Sequence, residues 1–130
     1  MRFLQWLLGL WKKLKPKQQE KSYAPPSRLF HSCEVVKSPP PNNEIPDGKF
    51  IVVTPSVEPK WALFKCPCGC GHVITLSLAS GRTPRWQVRL ENGGYPTLYP
   101  SVRQLNGCYS HFLVRGGQIL WCEDTGRPYF

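Results

Sequence analysis

A chain of 130 residues with a formal charge of +9 and a pI near 9.5 has room for one domain. Fourteen prolines and eleven glycines exclude an architecture of long helices and favour short strands joined by turns. The charge is concentrated at one end: residues 1–21 hold six Lys or Arg against one Glu, leaving eleven against seven in residues 22–130. A surplus that small gives the folded part little of the field that marks a nucleic-acid binder.

Residues 1–15 are predicted to form an amphipathic helix. Phe3, Leu4, Leu7, Leu8, Trp11 and Leu14 recur at helical spacing, Trp6 and Leu10 widen the stripe, and Arg2, Lys12, Lys13 and Lys15 flank it. The segment is shorter than the roughly 20 apolar residues a bilayer span needs, and it lacks the cleavage site of a signal peptide. Trp beside Lys suits a membrane surface, while a partner groove or the chain's own domain would cover the same stripe. Pro16 ends the helix, and residues 16–30 read as a polar, proline-punctuated linker.

Residues 31–130 carry the β signals. A short strand is expected at Cys33–Lys37, followed by a loop through Pro39, Pro40 and Pro41, which cannot join a sheet ladder. Strands follow at Phe50–Thr54, Trp61–Cys66 and His72–Leu78, the last two forming a hairpin around a cysteine-rich turn. Arg85–Glu91 and Thr97–Tyr99 flank the turn signal Asn92-Gly93-Gly94, and Phe112–Arg115 pairs with Gln118–Cys122 across Gly116-Gly117. The fold class is mainly β: a small antiparallel, zinc-stapled β domain with an N-terminal amphipathic helix.

The chemistry is concentrated in Cys66-Pro67-Cys68-Gly69-Cys70-Gly71-His72 and in Cys108-Tyr109-Ser110-His111. Thiolate and imidazole suit zinc, which binds four such ligands as a tetrahedron. Cys66, Cys68 and Cys70 are too close to bridge one another as disulfides, so the pattern reads as a Zn2+ site in a reducing cytoplasm. Cys66, Cys68, Cys70, Cys108 and His111 are the ligand candidates. His72 is a weaker one, Cys122 reads as an ordinary buried thiol, and Cys33 and His31 lie furthest from the pattern.

The cysteine knuckle, Pro96-Thr-Leu-Tyr-Pro-Ser-Val and Cys108-Tyr-Ser-His-Phe together resemble a small bacterial family, domain of unknown function 6527, over roughly residues 49–122. Its members are encoded beside bacterial ubiquitin-like proteins, their adenylating enzymes and metallopeptidases. The resemblance implies a component of a ubiquitin-like conjugation pathway, with Cys66, Cys68, Cys70, Cys108 and His111 as metal candidates.

Three functions fit these residues. The favoured one is an accessory interaction module with a structural zinc, docking a ubiquitin-like protein or a conjugation enzyme, in the cytoplasm or peripherally at the inner membrane through residues 1–15. A second is catalysis by a spare thiolate or by an open zinc position. It lacks a His-Glu-x-x-His motif and an evident carboxylate beside the knuckle. The third is nucleic-acid binding through Arg82, Arg85, Trp86, Arg89 and Arg103, less favoured because the same residues suit a solvated strand face.

Overall fold

The computed structural model describes residues 28–128. The amphipathic segment 1–15 lies outside the described residues, as does the linker up to residue 27. Among the described residues there is no α-helix, only a 3-10 turn at Asn42–Glu44. The strands are β1 (Cys33–Val36), β2 (Phe50–Val53), β3 (Trp61–Lys65), β4 (Val73–Ser77), β5 (Gln87–Glu91), β6 (Tyr95–Tyr99), β7 (Val102–Arg103), β8 (His111–Arg115) and β9 (Gln118–Trp121). They form a four-stranded sheet in the order β1-β2-β3-β4, a β5-β6 pair and a β7-β8-β9 sheet.

Strand β2 shows why its residues form the centre. Phe-Ile-Val-Val is a run of aromatic and β-branched side chains, which favours strand, and all four are buried. Its alternate residues enter two different cores: Phe50 and Val52 join one cluster, Ile51 and Val53 the other. A strand covered on both faces cannot show polar–apolar alternation, and this one does not. The larger core stacks Phe50 on Phe64 at 5.3 Å, with Phe30 edge-on to both at 5.3 Å. Phe112 of β8 reaches Phe64 at 6.3 Å and joins the third sheet to this core.

Two features go beyond the predicted hairpins. Strand β1 runs parallel to β2, so the proline loop is part of a crossover rather than a hairpin turn. The short strand β7 pairs with the start of β8, Arg103 opposite His111, and this pairing assembles the site described below.

Leu29 and Phe30, at the far end of the segment read as linker, belong to the fold. Their amides both donate to the Gly117 carbonyl at 2.9 and 3.0 Å, and the Gly117 amide donates to the Pro96 carbonyl at 2.7 Å. Gly117 has φ +76°, and a Cβ built there would lie 1.9 Å from the Phe30 carbonyl oxygen. Gly117→Ala therefore combines a left-handed conformation, costing about 1–2 kcal/mol, with a clash against backbone that cannot yield. It is expected to lower stability by more than 2 kcal/mol, roughly the strain plus the displaced contacts. Chemical denaturation checks this, with Gly116→Ala, where the added atom meets nothing within 4 Å, as the comparison.

Candidate functional site

The β3–β4 hairpin carries the cysteine knuckle at its tip. Strand register is continuous up to Lys65 opposite Val73, and the Cys66 amide closes the loop on the His72 carbonyl at 2.8 Å. Gly69 and Gly71 take φ of +88° and +82°, which lets the turn bring its thiols to one side. Cys108 arrives from the loop between β7 and β8. The sulfurs of Cys66, Cys68, Cys70 and Cys108 all lie within 4.8 Å of one another. Cys66 Sγ is 3.4 Å from Cys68 Sγ and 3.8 Å from Cys108 Sγ. The edge of a tetrahedron with zinc–sulfur bonds of about 2.3 Å is about 3.8 Å, so the donor set fits a single metal ion.

Electrostatics points the same way. Burial pushes the Cys66 thiol up to about 12. Burial, the largest single influence on the Cys68 thiol, raises it, but hydrogen bonds from Ser110, the Cys70 amide and neighbouring thiols together draw it down to about 6. The Cys70 thiol, helped by the His72 backbone, is nonetheless raised by burial and by Cys68 and Cys108. Four thiols this close cannot share more than part of the negative charge unless a cation joins them.

His111, expected as a fifth candidate, does not lie in this group. It opens β8, and its ring turns away from the knuckle into a second cluster built by three separate segments. Nε2 lies 3.1 Å from Ser101 Oγ, and Nδ1 lies 2.6 Å from Asp124 Oδ1. Arg103 of β7 contacts the other oxygen of Asp124 and comes within 2.9 Å of His111 Nδ1. One tautomer satisfies the whole chain: Nδ1–H donates to Asp124, and the free Nε2 accepts the Ser101 hydroxyl. Arg103 then donates to the carboxylate rather than to the ring. The hydrogen bond from His111, assisted by Arg103, holds the Asp124 carboxyl below the ordinary carboxylate range.

Backbone contacts fix each member. The His111 amide donates to Thr125 Oγ1 at 3.0 Å, the Cys122 amide to the His111 carbonyl at 2.9 Å, and the Gly126 amide to the Tyr109 carbonyl at 2.8 Å. These bonds clamp residues 122–126 against the start of β8 and so present Asp124 to the ring. Trp86 Nε1 donates to the Ser101 carbonyl at 3.2 Å and anchors the backbone of the serine. Tyr109 holds a left-handed φ of 51°, unusual for a residue with a side chain, between the cysteine cluster and His111.

The remaining candidates fall elsewhere. His72 is exposed and contributes its carbonyl to the knuckle, not its ring to the cluster. Cys122, expected to be merely buried, has its thiol in a group with His111 and Asp124, all within 4.8 Å. The Arg103 guanidinium against Asp124 opposes a further cation there. Cys33 and His31 belong to neither group. Of the five residues considered for nucleic acid, Arg85, Trp86 and Arg89 line one groove, Arg89 also pairing with Glu91 at 3.7 Å, whereas Arg103 is drawn into the Asp124 ion pair and Arg82 lies outside the groove.

Comparison with known families matches residues 35–122 to a family described as bacterial ubiquitination-like system serine protease (BubE). The chain belongs to this family. No curated protein and no solved structure matches it. The BubE match carries the association with a bacterial ubiquitination-like system that the motifs implied. It covers β2 to β9 and both clusters, apart from Asp124, which lies just past its end. Sequence reading passed over the serine: Ser101 lies in the Pro96–Val102 stretch that carries the family resemblance, but nothing local marks it as a nucleophile, and it meets His111 and Asp124 only in the tertiary structure.

Proposed function

We propose that the chain is a serine protease of a bacterial ubiquitination-like system, with Ser101 as nucleophile, His111 as general base and Asp124 as the group that orients it. The observation that carries this reading is the hydrogen-bonded relay from Ser101 Oγ through both nitrogens of His111 to Asp124. The family description agrees with it. Nucleophile, base and orienting carboxylate are the three parts that activated-serine chemistry needs, whatever their order in the chain.

In this reading the Ser101 oxygen attacks a carbonyl carbon while its proton passes to His111 Nε2. Asp124 stabilises the imidazolium that results, and Arg103 keeps Asp124 ionised and in place. His111 then gives the proton to the departing group, leaving an acyl-enzyme on Ser101. A water repeats the sequence with His111 again as base, and the acid is released. The pathway supplies the natural substrate: a ubiquitin-like protein, or a conjugate of one.

The cysteine cluster is assigned to zinc in a structural role. Four thiolate ligands fill a tetrahedron and leave no position for substrate, so the metal's contribution would be to tie the knuckle to the loop before β8. The interaction-module reading is retained to that extent: docking a ubiquitin-like partner becomes recognition of a substrate.

A fluorophosphonate probe tests the assignment. It should label the protein once per chain, with the adduct mapped by mass spectrometry to the peptide containing Ser101. Labelling at another residue, or none, would sink it. Arg103→Gln removes the support of Asp124 and should lower kcat/KM about ten- to a hundredfold, as loss of a charged hydrogen bond would. A pH–rate profile with an unchanged shape but lower height would separate mispositioning from a change of base.

A further inference from the structure

A groove with a volume of about 650 Å³ opens beside the serine, within the range of roughly 300–1,000 Å³ usual for ligand sites. It lies between the β2–β3 connection, the end of β4 and the β5–β6 hairpin. Trp86, Thr97 and Tyr99 line it together with Arg85, Arg89 and Arg115. Two of those residues tie it to the relay. Trp86 donates to the Ser101 carbonyl at 3.2 Å, and Tyr99 precedes Ser101 by two residues, at most about 7 Å along the chain. A polypeptide with its scissile carbonyl at Ser101 would enter the groove within two or three residues.

We propose that the groove binds the stretch of substrate on one side of the scissile bond, in extended form, and selects acidic residues in it. This rests on the protease reading above. Three guanidinium groups face two carboxylates, Glu58 and Glu91, and Glu91 is already paired with Arg89 at 3.7 Å. Arg115 lies over the Tyr99 ring at 5.0 Å, and Arg85 Nε is anchored on the Leu78 carbonyl at 3.2 Å. Both guanidinium groups are thus held in position with donors left over, the arrangement that receives a carboxylate in forked geometry. A neutral substrate side chain would gain only the contacts of Trp86, Val88 and Tyr99.

The test uses fluorescein-labelled decapeptides of alternating Gly with Glu, Gln or Lys, measured against the full chain by two readouts. The first is fluorescence anisotropy at low and moderate salt. The second is protection of Ser101 from the fluorophosphonate probe. The Glu peptide should bind about tenfold more tightly than the Gln peptide, the preference shrinking with salt, and it should slow labelling. In the exposed double variant Arg85→Gln/Arg115→Gln the ratio between the two peptides should collapse toward one. Normal labelling with no acidic preference, or a preference that survives the double variant, overturns the groove assignment alone. Tighter binding of a ten-residue oligothymidine than of the Glu peptide also overturns it, in favour of a nucleic-acid groove. Absence of labelling on the unaltered protein removes the protease reading and this proposal with it.

Discussion

Ser101→Ala is expected to lower kcat/KM toward a ubiquitin-like conjugate by about 10⁴–10⁶-fold, the scale seen when a serine nucleophile is removed, while leaving the fold intact. The hydroxyl is half-buried and its bonding partner is His111, so its loss exposes no deeply buried unpaired group. Stability should change by less than about 1 kcal/mol, the usual net value of one hydrogen bond. His111→Ala should cost a similar factor, and the double variant no more than either single one, because the members act as a unit. Asp124→Asn should approach a 10⁴-fold loss, roughly the effect of stabilising the wrong imidazole tautomer. Ser110, the neighbouring serine, cannot substitute: it is 2 % exposed, and its hydroxyl donates to Cys108 Sγ at 3.1 Å. Full activity in Ser101→Ala would end the triad assignment.

The linkage of Asp124 to pH has a definite sign. Its carboxyl is held low in the folded protein by His111 first and Arg103 second. A lowered folded-state value means that its pairing stabilises the protein above the ordinary carboxylate range and is lost as pH falls through the lowered value. Asp124 therefore stays ionised through the neutral range. Any fall in activity between neutral and mildly acid pH should persist unchanged in form when Glu91 or Glu58, outside the relay, is replaced by Gln.

Metal removal is expected to produce the second large effect. One zinc per chain should be found in purified protein, and Cys66→Ser or Cys108→Ser should lose it together with cooperative unfolding. Cys66 is 2 % exposed and sits in the main core, so an unliganded polar group there has nowhere to go. Cys108 lies three residues before His111, so a metal bound there would tie the loop that leads into His111. Thiolate ligands must give up protons to bind, so acid should release the metal and alkali should retain it. Atomic emission after dialysis at stepped pH checks the stoichiometry and direction, and circular dichroism with chelator checks the fold. Zinc-free protein that remains folded and active would overturn the structural role.

Some parts of the molecule are legible in the sequence and others are not. The knuckle was legible because three cysteines and two glycines are local, and the turn chemistry that gathers them acts over seven residues. The predicted hairpins came through for the same reason. The parallel pairing of β1 with β2 was not legible, since periodicity reports which face is buried and not which way a neighbour runs. His111 was grouped with the cysteines because Cys-x-x-His spacing suits zinc. The side chain is turned the other way by its place opposite Arg103 in a two-residue strand too short to predict. Ser101 lies within the Pro96–Val102 motif, but nothing local in it, or around Asp124, points to a partner for His111. The two residues meet His111 across separations of 10 and 13 residues, and only tertiary structure makes them a set.

The contact between Gly117 and the start of the described chain has a further consequence. Arg28 Nε donates to the Gly116 carbonyl at 3.1 Å, and its guanidinium rests 3.8 Å over the Tyr95 ring. The next residue back along β8 is Arg115, at the lip of the groove. Arg28 is thus tied to the same turn that follows Arg115, a residue that lines the groove. A recognition sequence put in place of residues 1–27 and joined to Arg28 by a short flexible linker would meet the groove at an effective concentration on the order of millimolar. Weak intrinsic affinity would then cease to limit cleavage, and turnover in cis would read the reactivity of Ser101 directly.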